Sequence, residues 1–332
     1  MLAPEQQEHV SADLIIRPFD VRDYDPLVRV SNASFPDEPR TAEEWSYEDA
    51  RLDRSRYHLE RHVAIDTRGE IVGYAGLGHM PWNFHPHKYW MEVCVHPRHR
   101  RRRAGQALWA RLVASLRARG ALVARTLVRE NHSDGVRFAQ RLGFVEVMRR
   151  WESRLTIATF DLDRFQPVLN RVLASGVKIT TLADERARDQ DNLHRIYEMD
   201  QEVSRDEPLP DDFTPVDFTT FLDHGVRAPL ALSDAFFLAT VDGVYAGVSV
   251  LYKAAAGDWL KQGLTGVRRP FRGRGLATAL KLKTIAYARA YGAREIRTYN
   301  EIHNAPIVAI NEKLGFIRQP PILTYAKELE DR

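Results

Sequence analysis

The sequence predicts an α/β fold of the α+β kind, built twice in tandem, each copy a mixed, mostly antiparallel sheet flanked by helices. Three observations carry this. Two long stretches repeat at a constant spacing of 172 residues. Each holds a strand–turn–strand hairpin followed by a further strand. In each, a basic turn then leads into a helix with one apolar face. A chain of 332 residues is long for one domain and comfortable for two.

The repeat is clearest where Val93–Leu112 aligns with Leu264–Thr284. Val95 matches Val267, Arg100 matches Arg272, Ala107 matches Ala279 and Leu108 matches Leu280. The register persists through Gly120 and Gly292 to Leu142-Gly143-Phe144 and Leu314-Gly315-Phe316. Upstream, Gly69 and Gly73 match Gly243 and Gly247 at a spacing of 174, so the second copy is shorter there. Self-similarity over such a span marks a duplication. The expected domains are 1–156 and 177–332, with a connecting helix in 157–176 whose Pro167 falls in the first turn.

The elements follow in the same order in both copies. A strand opens each, at Leu14–Arg17 and Val177–Leu182, and a polar helical stretch follows, including Ala187–Val203 in the second. Then comes a hairpin, with Thr67-Arg68-Gly69-Glu70 as one turn and Asp242-Gly243 as the other. The next strands are Trp90–Val95 and Leu260–Val267. Helices are expected from Ala104 to Arg119, where Leu108, Leu112 and Leu116 share a face, and from Leu276 to Tyr291. Gly120 and Gly292 stand where helices end. A strand, a short helix and a last strand complete each copy.

Composition removes several functional classes. No stretch approaches the roughly 18 to 20 apolar residues that span a bilayer, so no membrane association is expected. The polar N-terminus lacks a secretory signal, and Cys94 is the only cysteine, so a cytoplasmic protein without disulfides is expected. A formal charge of +3 gives nucleic-acid binding no support beyond one arginine cluster. His79, His85 and His87 have no metal-ligand spacing and are read as loop residues, so no metal is expected.

The most specific segment is Arg272-Gly273-Arg274-Gly275-Leu276-Ala277, between a strand and a helix. Glycines let the backbone approach a ligand and turn N–H groups inward, and the helix adds its positive end. That is a pyrophosphate cradle, with Arg272 and Arg274 available for charge-assisted contacts. A dinucleotide fold would need a glycine where Thr278 stands, although Glu295 lies where its acidic residue belongs. A P-loop would need Gly-Lys-Ser/Thr, which is absent.

The segment resembles the acyl-coenzyme A loop of the GNAT acetyltransferases, Arg/Gln-x-x-Gly-x-Gly/Ala, through Arg272, Gly275 and Ala277. Asn304 to Phe316 is similar to the family's last segment, an asparagine followed by a short helix ending in Leu-Gly-Phe. The resemblance covers essentially the whole chain twice, as in tandem members of the superfamily. It implies acetyl-coenzyme A as co-substrate, held in the second copy by Thr265, Val267, the loop from Arg272 to Thr278, Asn304 and Asn311. Backbone N–H groups near Val267 would orient the acetyl group.

The first copy departs from the pattern. Its ungapped counterpart is Arg100-Arg101-Arg102-Arg103-Ala104-Gly105, with Arg103 in place of a glycine. Sliding the motif onto Arg102, Gly105 and Ala107 would restore the pattern but break the register. Coenzyme contacts there would come from Val95, Arg100, Arg103 and Gly105. The arginines from Arg98 to Arg103 read as phosphate contacts or a solvated loop ahead of a nucleic-acid or membrane patch.

For catalysis, the resemblance implies a glutamate base on the strand before the loop, which Glu92 supplies. The alternative for Glu92 is an exposed strand-face charge. Leu264 takes its place in the second copy, where Glu301 and His303 are the nearby substitutes. Cys94 reads as a small buried hydrophobe rather than a nucleophile. The family's usual tyrosine acid is replaced by Ala139 and by Asn311. Asn311 can offer the leaving sulfur a hydrogen bond or simply pack its helix, and Tyr299, at the end of the preceding strand, could substitute as the acid if the chain brings it close. The expected activity is acetyl transfer to a primary amine, on a small molecule or peptide. The rival reading is an acyl-coenzyme A-binding or sensing protein without turnover.

Overall fold

The computed structural model describes residues 8–11, 14–189 and 191–329. It divides into two compact units, Met1–Val147 with Leu323–Arg332, and Met148–Ile322. The division differs from contiguous boundaries at 156 and 177. The last strand of the second copy is counted in unit 1, and residues 148–156 are counted in unit 2. A strand belongs to the sheet that takes up its backbone hydrogen bonds, whatever its place in the chain, and a repeat read along the chain sees only order.

Unit 1 holds β1 (Glu8–Ser11), β2 (Leu14–Pro18), α1 (Tyr24–Ser34), α2 (Ala42–Arg51), β3 (Leu59–Asp66), β4 (Ile71–Gly78), β5 (Lys88–Val95), α3 (Ala104–Ala118), β6 (Val123–Arg129) and α4 (Ser133–Arg141). Strand β7 (Val145–Thr156) then leads into unit 2. There follow α5 (Gln166–Ala174), β8 (Lys178–Thr181), α6 (Leu182–Arg188), α7 (Asn192–Ser204), α8 (Phe218–Phe221), β9 (Ala231–Val241), β10 (Val244–Lys253), β11 (Trp259–Val267), α9 (Leu276–Tyr291), β12 (Glu295–Glu301), α10 (Ala305–Lys313) and β13 (Ile317–Arg318). Strand β14 (Ile322–Glu328) closes unit 1.

The sheet of unit 1 runs β1-β2-β3-β4-β5-β6-β14, and that of unit 2 runs β7-β12-β11-β10-β9-β8, with β13 also on β7. Neighbours from β1 to β5 are antiparallel, while β5 and β6 are parallel. In unit 2 only β11 and β12 run parallel. A parallel pair needs a crossover, which α3 and α9 supply.

The parallel strands do not stay together. β5 pairs with β6 only through Lys88–Trp90, and β11 with β12 only through Trp259–Lys261. Beyond those residues the strands part, although β5 and β11 continue to Val95 and Val267. A wedge therefore opens in each sheet, with a helix N-terminus beside it.

The duplication is visible at atomic detail. A Cβ on Gly73 would fall 2.9 Å from the Cys94 carbonyl and 3.3 Å from Leu108; one on Gly247 would fall 2.9 Å from the Gly266 carbonyl and 3.3 Å from Leu280. Both positions must be glycine for the helix to pack on the strand. Leu108, Leu112 and Leu116 are fully buried in unit 1, as their spacing predicts.

Two local differences separate sequence and structure. The expected helix over Ala187–Val203 is broken at Asp189, whose backbone is extended (φ −161°, ψ 131°), while a reciprocal cap between Thr181 and Asp184 starts α6 early. In addition, Gly263 and Leu264 stand together opposite Val250, a bulge in β11. The matching stretch of β5 is regular, with Glu92 opposite Gly76. Among the described residues no helix is long and apolar enough to cross a membrane.

Candidate active site

In unit 2 the turn from β11 into α9 has Gly273 and Gly275 at φ of 78° and 81°. Gly275 caps α9, and no side chain bonds the first turn of that helix. Its leading N–H groups stay available to an anion, at the positive end of a 16-residue helix. Arg274 is exposed, its guanidinium 5.7 Å from the Phe271 ring centroid. Arg272 is committed elsewhere. Its Nε donates to the Val267 carbonyl at 2.8 Å, and its other end pairs with Asp206, which also takes Arg269 at 2.6 Å. Hydrogen bonds from Arg269 and Arg272 hold the Asp206 carboxyl at about 2. Arg272 is thus a tie that fixes the loop to the strand.

Unit 1 repeats this backbone without the glycines. Arg101 and Arg103 sit at φ of 64° and 67°, and Arg103 caps α3 as Gly275 caps α9. Arg100 Nε donates to the Val95 carbonyl at 3.2 Å, the counterpart of the Arg272 tie. Gly105 lies inside α3, so it cannot be the loop glycine of a slid motif. The ungapped register describes both turns, and the arginines hold a left-handed conformation that costs a side-chain-bearing residue roughly 1–2 kcal/mol.

The Glu92 carboxylate is partly buried and accepts a 2.7 Å hydrogen bond from the hydroxyl of Tyr74. Tyr74 is itself enclosed, and burial beside Glu92 raises its hydroxyl well above the usual value. Glu92 is therefore oriented by a buried partner. Cys94 is 4% exposed, and burial pushes its thiol up to about 12, which leaves no thiolate at neutral pH.

Asn311 is 3% exposed and donates from Nδ2 to Asn300 Oδ1 at 2.7 Å, while its own Oδ1 has no partner. Both an acceptor, Oδ1, and the second N–H of Nδ2 therefore remain open at this position. Asn304 begins α10 without a side-chain capping bond. Tyr299 does not join this group. Asn300 faces α10, so its neighbour Tyr299 points to the opposite face of β12, with Lys261 Nζ 5.9 Å from its ring centroid. Glu301 and His303 pair at 2.7 Å after that strand.

The faces of β11 are distinct. Thr265 bonds Ser249 at 2.9 Å, and Gln262 continues that chain to Ser249 at 3.1 Å and to Lys281 and Thr284 of α9. Gly266 faces the other way, where an added Cβ would lie 2.8 Å from Val203 Cβ of α7. On that same face of α7, Ile196, Met199 and Val203 are buried at helical spacing, and Asp200 stands among them. Burial pushes the Asp200 carboxyl up to about 7. A lone acid within an apolar stripe is a signal the sequence carries and that motif reading passes over.

The profile of the Acetyltransferase (GNAT) family matches residues 24–144 and 185–316. The mycothiol acetyltransferase of Amycolatopsis mediterranei is 26% identical over 275 residues, covering 80% of this chain and 84% of that protein. A tandem GNAT protein from the clavulanic acid biosynthesis pathway superimposes with a TM-score of 0.73 at 19% identity, covering 96% of this chain and 99% of the other. A GCN5-related N-acetyltransferase from Sphaerobacter thermophilus gives 0.65 at 20% identity, with 96% of both chains covered.

Proposed function

This chain belongs to the acetyltransferase (GNAT) family and is an acyltransferase, and on that premise we propose that unit 2 moves an acetyl group from acetyl-coenzyme A to a primary amine. The observation that carries this reading is the wedge of unit 2. Two parallel strands part there beside a turn with two left-handed glycines and a helix N-terminus without a side-chain cap. The N–H groups of that turn suit a pyrophosphate, and a side chain at Gly275 would crowd Val172 at 3.1 Å.

Gly273 to Thr278 and Arg274 would hold the phosphates, with Arg272 keeping the loop in place. Thr265, Val267, Asn304 and Asn311 would line the rest of the arm. The unpartnered Asn311 oxygen suits an amide N–H. N–H groups freed where β11 leaves β12 would polarise the thioester carbonyl, and the bound thioester supplies the acetyl group. A thiol that ionises near about 8.5 leaves tolerably well as thiolate, so turnover without a tyrosine acid is slow rather than absent.

Similarity to a mycothiol acetyltransferase supports a small-molecule acceptor. Unit 1 keeps the backbone of the loop but fills it with arginine, which favours a weaker coenzyme site there or none. The second reading, coenzyme binding without turnover, draws on the same strained loop and on Leu264 in place of a glutamate. A screen of primary amines for acetyl-coenzyme A consumption decides between them. Saturable consumption with at least one amine is expected. Tight coenzyme binding with no consumption across the screen would establish the second reading.

A further inference from the structure

Unit 2 has no acid at the position Glu92 holds in unit 1, yet an amine must lose a proton to attack an acyl group. The bulge at Gly263 and Leu264 explains why a glutamate there would be misplaced: it breaks the alternation of β11 at that position. The wall opposite the bulge is α7, packed on β10 and β11. Among its buried residues Ile196, Met199 and Val203 stands one ionisable residue at the same helical spacing, the partly buried Asp200.

We propose that Asp200 is the proton acceptor for the amine in unit 2, standing across the wedge in the role that the strand glutamate would otherwise take. The inference rests on the acetyl-transfer reading of that unit. Four features of the geometry support it. The Gln201 amide donates to Asp200 Oδ2 at 3.2 Å, while the Gln201 oxygen accepts the Val216 N–H at 3.0 Å, so the carboxyl is held by its helix neighbour, itself anchored to Val216. Val203, one turn on, lies against Gly266, next to the end of β11. Tyr252 crowds Gly263 at the bulge, an added Cβ falling 2.6 Å from its ring, and Asp200 acts electrostatically on that tyrosine. Among the described residues no lysine or arginine forms an ion pair with Asp200.

The groups around Asp200 favour an incoming cation. Tyr252 faces it from β10, Glu207 from the segment after α7, and Gln201 from its own helix. The stretch of β11 at the bulge offers Gly263, Leu264 and Gly266, none of them ionisable. Burial holds the carboxyl near the operating range of a general base. In the step, an N–H bond of the ammonium breaks as an O–H bond forms on Asp200. The freed electron pair attacks the thioester carbonyl carbon. When the C–S bond breaks, its pair stays on sulfur, and the second proton shed by nitrogen neutralises the thiolate.

The test uses the full chain and its Asp200→Asn variant, which keeps the shape. Carboxyl carbon resonances of labelled aspartate are followed from pH 5 to 9, with and without propylammonium. One carboxyl is expected to titrate near neutrality, to vanish in Asp200→Asn, and to shift to lower pH with propylammonium but not with propionate. Propylamine acetylation at saturating acetyl-coenzyme A should fall on the order of a hundredfold or more in the variant and lose its limb near neutral pH. Acetyl-coenzyme A affinity by calorimetry should be unchanged. Absence of a carboxyl titrating above about 6, or equal rates and pH profiles for the two proteins, would overturn the proposal. Failure of the wild type to bind acetyl-coenzyme A would sink the acetyl-transfer reading itself, a different result.

Discussion

At Arg103 and Gly275 the same backbone is made from different residues. Left-handed φ is nearly free for glycine and costs arginine roughly 1–2 kcal/mol. Gly275→Arg should therefore weaken acetyl-coenzyme A binding and lower the stability of unit 2 by about that amount, with the Val172 contact adding to it. Arg103→Gly should stabilise unit 1, by less than the strain relieved, because glycine also frees the unfolded chain. Calorimetry and denaturant unfolding check the pair; an unchanged affinity in folded Gly275→Arg would remove the loop from the binding site. The turn chemistry was legible in the sequence down to the residue, since the repeat register alone pairs Arg103 with Gly275. The commitment of Arg272 to Asp206 was not, because the partner lies 66 residues away and belongs to no motif.

At the scale of elements, α7 and α9 grip β11 from opposite faces. Gly266 is the point of closest approach to α7, so Gly266→Ala must drive Val203 outward. The cost should be about 1–3 kcal/mol, visible in unfolding of unit 2, and a neutral result would mean that the helix yields freely. On the other face, Lys281 is 1% exposed and burial lowers its amine to about 7. The unfolded chain holds that proton up to about pH 10.4, so between pH 7 and 10 it binds more protons than the native state. Stability should then rise with pH across that window, and the penalty is full below pH 7. Lys281→Met should raise stability at pH 7 and flatten the rise, which denaturant titrations at pH 7 and 9.5 would show. Helical spacing announced α3 and α9 correctly. The break between α6 and α7 was missed because a polar run does not announce the single extended residue, Asp189, that ends α6.

For the whole molecule, the twofold repeat, the strand order within each hairpin and the loop-to-helix junctions could all be read from the chain. What could not be read was which unit each terminal strand joins. Leu323 and Tyr325 are buried in the core of unit 1 alongside Leu112 and Phe144, more than 170 residues from the rest of that core. Local pattern reveals that a strand exists and which face is apolar, not whose sheet it completes. A chain ended at Ile322 should therefore lose stability in unit 1 while acetyl-coenzyme A binding in unit 2 persists. Thermal unfolding with and without acetyl-coenzyme A would separate the two, and a loss confined to unit 2 would contradict this assignment.

That late strand also bears on how the protein is made. A ribosome releases residues in order, so unit 1 emerges with its first strands, helices and hairpins but without β14. It must wait through the whole of unit 2 with Leu112 and Phe144 uncovered on one side. Unit 2 has no such wait, because everything it contains is synthesised before Leu323 appears. The half that is translated first is thus the half completed last, and its open sheet edge is the surface a chaperone would have most reason to shield.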